Sequence, residues 1–177
     1  MGAIRIPEKA ILFTGPIYNP VESRENIHRL LEKEYGSICL SSLPVPFDET
    51  AYYNKEMGGY LLREFIAFDL LIDMHDIIRI KRNTNFIEDN YFSVEGKRRV
   101  NIDPGYLTSG KVILATTKNF QHRIYLGEGI YAEVTLRYRK KSFTPWEWTY
   151  LDYKKDGAIA FFNKLREIYR SKLKGSS

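Results

Sequence analysis

The chain has 177 residues, 44% hydrophobic and 28% charged, a length and balance that predict one folded domain over 1–177 and exclude a disordered chain. Its formal net charge of +5 favours anionic partners, and its lone cysteine, Cys39, excludes an internal disulfide and a cysteine-built zinc site. No run approaches the roughly eighteen apolar residues of a membrane span, and residues 1–8 lack a signal-like apolar core, so a soluble cytoplasmic protein with no membrane partner is expected.

Residues 10–14 read as a buried first strand stopped by Gly15-Pro16. Asn19 then caps a helix that carries Val21, Ile27, Leu30, Leu31 and Tyr35 on one side and stops at Gly36. A second strand covers 37–42. The proline- and glycine-bearing stretch after it reads as a long loop, with room for a short helical turn, of the kind that often serves function. Residues 60–72 form a long central strand: Leu62, Ile66, Phe68, Leu70 and Ile72 share one face with Glu64 as the exception, and Arg63, Phe65, Ala67, Asp69 and Leu71 share the other.

Asp73 opens a second helix with Asp76 in a capping-box relation, and its apolar stripe begins Met74, Ile77, Ile78. The same spacing continues through Lys81, Asn85 and Glu88, which either bury paired charges or turn outward. Beyond Gly96 the period becomes two, giving strands at 97–102, 111–117, 122–126 and 130–139. An aromatic, basic loop over 140–155 leads to a last helix from Asp156, burying Ile159, Phe162, Leu165, Tyr169 and Leu173; the Ser176-Ser177 tail is expected to fray. The fold class is therefore α+β, a mostly antiparallel sheet with three helices. Its N-terminal part is compatible with a ferredoxin-like split βαβ extended by a C-terminal meander and a closing helix.

Gly105 to Lys111 matches GxxxxGK, the front of a phosphate-binding loop. Val112 stands where a magnesium-holding hydroxyl belongs, and the β-branched run that follows is a strand rather than the helix such a loop opens. A hairpin with Pro104-Gly105 at its turn is the simpler reading.

Alternation supplies a more distributed candidate. Lys97, Arg99, Asn101 and Asp103 share one side, as do Tyr131, Glu133, Thr135 and Arg137, with His122, Arg123 and Tyr125 between them. If these strands are neighbours, Arg99, Arg123 and Lys111 would bind an anion, with Asn101 and Lys81 as further ligand contacts. Asp103, Glu133 and His122 would be the acid–base or metal candidates. The competing reading is a wet, charged sheet face with no function. The three histidines have no metal-binding spacing, and GxSxG, HExxH and CxxC are absent. The 143–153 aromatics beside Arg137, Arg139, Lys140 and Lys141 could stack bases or simply fold over the core. Lys164, Arg166, Arg170, Lys172 and Lys174 lie off the apolar stripe of the last helix, as a solvated face or a nucleic-acid surface. Lysine, arginine and glutamate are abundant and Gln121 is the only glutamine, a bias reported for heat-adapted proteins.

Taken together, the blocks Asn101–Leu107, Ala115–Lys118, His122–Leu126, Gly129–Leu136 and Trp148–Tyr153 resemble an uncharacterised prokaryotic family of domains of unknown function, DUF4416. The resemblance covers nearly the whole chain and brings no catalytic residues or cofactor with it. Leu151 stands where the family has proline in its Trp-Thr-Tyr-Pro-Asp-Tyr block. The expected function is a small-ligand protein, or an enzyme, holding a phosphorylated or nucleotide-like anion on the polar sheet face. The alternative is an RNA-binding or assembly protein that uses its basic and aromatic surface.

Overall fold

A computed structural model of the chain describes residues 2–50 and 52–175; the expected fraying of Ser176-Ser177 lies outside them. The first half runs β1 (Ala10–Tyr18), α1 (Arg24–Tyr35), β2 (Ile38–Ser41), β3 (Val45–Phe47), α2 (Asn54–Met57), β4 (Leu61–Arg63), β5 (Ile66–Ile72) and α3 (Ile77–Tyr91). A small hairpin follows, β6 (Ser93–Val94) and β7 (Lys97–Arg98), and then β8 (Val100–Leu107), β9 (Lys111–Thr116), β10 (Ile124–Gly127), β11 (Ile130–Arg139) and β12 (Ser142–Pro145). Two helices close the chain, α4 (Leu151–Lys154) and α5 (Asp156–Gly175).

Among the described residues, ten strands form one antiparallel sheet whose long axis runs β2-β5-β1-β8-β9-β11-β10; β4 and β3 continue beside the second half of β1, and β12 lies along β11. Within it, β1-α1-β2-β5-α3-β8 is a double split βαβ. Its four strands stand in the order β8-β1-β5-β2, every neighbour antiparallel, with α1 and α3 packed on the same face. This is the ferredoxin-like arrangement. The remaining strands extend it past β8, and α5 covers the opposite face through Ala158, Phe161, Phe162, Leu165 and Tyr169.

The alternation of residues 60–72 maps onto these two layers. Leu62, Ile66, Phe68 and Ile72 face the α1/α3 side, and Phe65, Ala67 and Leu71 face α5. Glu64, the odd member, is buried against α1, where Arg24 donates two hydrogen bonds (3.0 and 2.7 Å) and His28 lies at 2.9 Å. The strand itself is broken at Glu64-Phe65, where the Glu64 amide donates to the Pro16 carbonyl. Pro16 has no donor to offer on that side, which suits the break, and β1 runs on through Gly15-Pro16 to Tyr18 because β8 pairs with it along the whole stretch.

Several boundaries differ from expectation. Ser23 caps α1, its hydroxyl accepting from the Asn26 amide, a contact of the kind that contributes about 1 kcal/mol. Asn19 instead holds a turn, accepting from Val21 and donating to Met57, and Val21 is exposed. The long loop expected after β2 contains a short helical turn, α2, and also the strand β3, which the sequence pattern does not predict. A 3-10 turn (Met74–Asp76) precedes α3, and neither Asp73 nor Asp76 makes a side-chain cap. Pro104-Gly105 lies inside β8, so the turn is at 108–110. A bulge between Val134 and Leu136 inverts the alternation of β11, so Val134 packs toward α3 while Leu136 joins the α5 side.

Candidate functional site

Strands β8 and β9 pair only over Gly105–Leu107 and then part. A sheet opened in this way leaves backbone groups that need partners. At Ile102 they come from the helix: Glu88 Oε1 accepts the Ile102 amide at 2.7 Å, and Lys81 Nζ donates to its carbonyl at 3.3 Å. The charges continuing the apolar stripe of α3 thus stand in for a strand. Both are buried, Lys81 at 4% and Glu88 at 1% exposure.

The cleft between β8 and β9 opens into a cavity of about 660 Å³. Asn85, Asn101, Asp103 and Thr116 line it along with the helix charges, while Phe47 at the end of β3 and Tyr52, Tyr53, Trp148 and Tyr150 from the segments after β3 and β12 close it. Asp103 is its central acceptor. One carboxylate oxygen receives Lys81 Nζ at 3.2 Å and the other Asn101 Nδ2 at 2.8 Å. Burial pushes the Asp103 carboxyl up, but the Lys81 ammonium, the Arg63 guanidinium and the two hydrogen bonds outweigh it and hold the group below its ordinary range, ionised. Burial wins at Glu88, which stays raised despite Lys81, the Ile102 amide and Arg98. Arg98 spans the side of the site, bonding Glu88 at 2.7 Å and Glu56 at 2.8 and 3.1 Å.

Arg63 forms the inner wall. It donates to the Gly15 carbonyl and pairs with Asp152 at 2.6 Å, its guanidinium lying among the rings of Phe47, Phe65 and Tyr153. A Cβ on Gly15 would sit 2.7 Å from Arg63 Nη1, so only glycine allows this approach. The Tyr53 phenol is shifted upward by burial and by the Asp103 charge, and so stays a neutral donor. At the mouth, Lys118 places its ammonium 3.8 Å from the centre of the Tyr52 ring.

A second cluster adjoins the cavity. Glu133, fully buried, receives Arg123 Nε at 2.8 Å and Thr135 Oγ1 at 3.4 Å, with His122 Nε2 at 3.2 Å. Arg123 also donates to the Tyr150 hydroxyl at 2.6 Å, holding that ring against the cavity. His122 ends an aromatic ladder: its ring stacks on Trp148 (5.3 Å), Trp148 on Trp146 (5.1 Å), and Arg137 covers the far face of Trp146 (3.9 Å).

The residues singled out from sequence therefore divide. Lys81, Asn101 and Asp103 meet in the cavity. His122, Arg123 and Glu133 meet in the adjoining cluster, where the Glu133 carboxylate is already taken up by three partners. Arg99 and Lys111 join neither: Arg99 pairs with Glu22 at 3.5 Å, and Lys111 is exposed on β9 opposite Arg137. The one polar face expected to unite all of them is split because β7 separates from β8 before Arg99 and because the β11 bulge turns the strand. The sequence patterns single out neither Arg63, Asp152, Tyr53 nor Lys118 as a site residue, and they include Tyr150 only among the 143–153 aromatics. Arg63 and Glu64, two charges inside an otherwise apolar strand, were the available signal.

The GxxxxGK pattern has no phosphate-cradling geometry. Gly105 is a packing glycine in β8, where a Cβ would lie 2.3 Å from the Ile113 carbonyl and 2.4 Å from the Phe13 ring, and Lys111 begins β9. Among the described residues, no group of three His, Cys, Asp or Glu side chains is placed to hold a metal ion, and no helix is long and apolar enough to cross a membrane.

The chain belongs to a family defined so far as a domain of unknown function, DUF4416, whose sequence profile matches residues 8–169. That span takes in every strand of the sheet and both side-chain clusters. No curated protein and no solved structure matches the chain.

Proposed function

We propose that this protein binds a small phosphorylated, nucleotide-like molecule in the cavity between β8, β9 and the two aromatic loops. The observation that carries this reading is the Lys81–Asp103 pair on the cavity floor. Burying a charge pair costs more than packing apolar side chains in the same volume, so a pair kept facing an open space is suited to a ligand rather than to stability alone. The cavity volume lies within the roughly 300–1,000 Å³ of small-molecule sites. Tyr52, Tyr53 and Tyr150 offer flat surfaces to a planar ring. Lys118, with no carboxylate partner among the described residues, suits a phosphate at the mouth.

The nucleic-acid alternative draws no comparable support. Trp148 already stacks on both Trp146 and His122, so its indole is engaged within the ladder rather than held out for a base. On α5, Arg166 is spent on the Ser109 carbonyl and the Tyr138 ring, and Lys172 on Asp69.

A thermal-shift screen of nucleotides, sugar phosphates and divalent cations tests the proposal. At a hundred times its dissociation constant a ligand stabilises by about 2.7 kcal/mol, enough to move the melting temperature by several degrees. A nucleotide should do so in the wild type and less in Tyr150→Ala. Absence of any shift across the nucleotides and sugar phosphates removes this reading.

A further inference from the structure

Resting on that reading, we infer that the ligand enters with its hydrogen-bond donors first: a ribose diol binds the Asp103 carboxylate on the floor, and the phosphate stays outside at Lys118. Three observations support this orientation. Asp103 is fixed from two directions, by Lys81 and by Asn101, so its position is set before a ligand arrives. A carboxylate offers about four acceptor sites and two are used, which leaves room for the two hydroxyls of a vicinal diol. Finally, the floor is unsuited to an anion: Lys81 is spent on Asp103 and on the Ile102 carbonyl, and Arg63 on Asp152 and Gly15. A phosphate placed there would face an ionised carboxylate without a free cation.

The mouth has the opposite character. The Lys118 ammonium is exposed and, among the described residues, engaged only with the face of Tyr52, an interaction that leaves its N–H donors available to phosphate oxygens. Tyr53 lines the path between mouth and floor, its neutral phenol close enough to feel the Asp103 charge. The ligand class is thus a ribonucleoside 5′-phosphate or a smaller ribose 5-phosphate, and the protein would distinguish it from the corresponding deoxy compound.

The test compares ligands on the unmodified protein before any variant is used. Calorimetric titration with the four ribonucleoside 5′-monophosphates, their 2′,3′-dideoxy counterparts and ribose 5-phosphate should show at least one ribonucleotide or ribose 5-phosphate bound. The dideoxy form should bind about tenfold or more weakly, the loss expected when hydrogen bonds to a charged group are removed. Asp103→Asn should erase that preference, and Lys118→Ala should weaken the phosphorylated ligands while keeping the preference for ribose. Equal binding of ribo and dideoxy ligands overturns the orientation and leaves the nucleotide reading standing, as does a preference that persists in a folded Asp103→Asn protein. If none of these probes binds, both the orientation and the reading fall. Should Asp103→Asn fail to fold, the wild-type comparison and Lys118→Ala decide the matter on their own.

Discussion

Lys81 and Glu88, on one stripe of α3, hold the two polar backbone atoms of a single residue, the carbonyl and the amide of Ile102. A helix here performs the task of a missing strand, and it does so with charges that are themselves paired, to Asp103 and to Arg98. Removing one member leaves the others buried and uncompensated. Lys81→Met should therefore destabilise the protein by about 3–5 kcal/mol, read as a lower urea midpoint with an unchanged m-value. A Lys81→Met protein as stable as the wild type would mean that the floor is held by packing alone.

The two carboxylates of this network should respond to pH in opposite senses. The folded pKa of Asp103 is depressed below its ordinary 3.8, so the fold binds fewer protons there than the unfolded chain. Its contribution is present above that value and lost as pH falls through the folded pKa. Glu88 is raised above its ordinary 4.5, so its contribution is present below that value and lost as pH rises through the folded pKa. Denaturant unfolding of Asp103→Asn and Glu88→Gln beside the wild type, between pH 3 and 8, should show the wild type losing its advantage over Asp103→Asn on acidification, and losing stability relative to Glu88→Gln as pH rises.

Gly105 and Gly110 share one sequence pattern and have different burdens. A Cβ at Gly105 collides with the Ile113 carbonyl and the Phe13 ring, whereas nothing lies within 4 Å of one at Gly110. Gly105→Ala should cost on the order of 1–3 kcal/mol or more, as overpacked cores do, and Gly110→Ala should change stability by less than about 1 kcal/mol. Thermal unfolding of the two variants checks the contrast. Similar behaviour of both would argue against a strand through Gly105.

Glu133 ties the aromatic ladder to the sheet through His122 and orients Tyr150 through Arg123. Glu133→Ala should lower stability by about 3 kcal/mol, since it strips a largely buried arginine of its carboxylate. It should also change the tryptophan emission, because Trp148 loses the anchored ring it stacks upon. Unaltered emission would show that the indoles are held without His122.

Much of the frame was legible because its residues obey one period at a time. The two-residue alternation of 60–72 named both faces of the central strand, and the buried stripe of α3 pointed to Lys81 and Glu88. Alternation failed where the chain steps out of register. The bulge at Val134–Leu136 cannot be seen in a pattern that assumes strict pairing, and it sent Leu136 to the face opposite the one a straight strand would give it. Helix caps failed by competition: Asn19-Pro20 is a sound start signal, but Asn19 is claimed by Met57 and Val21, so Ser23 takes the role. The site was only half visible because it depends on strands that part. Asn101 and Asp103 alternate together as expected, whereas Arg63, Tyr53 and Tyr150 arrive from segments with no local relation to them.

The amide of Ile102 makes the network observable from within. Most strand amides report only whether a neighbouring strand is in place; this one donates to a carboxylate oxygen of Glu88. Its proton resonance should move as Glu88 titrates, and its exchange with deuterium should follow the docking of α3 rather than the opening of the sheet. One nuclear magnetic resonance line would thus register the state of the helix, the charge beneath it and the floor of the cavity together.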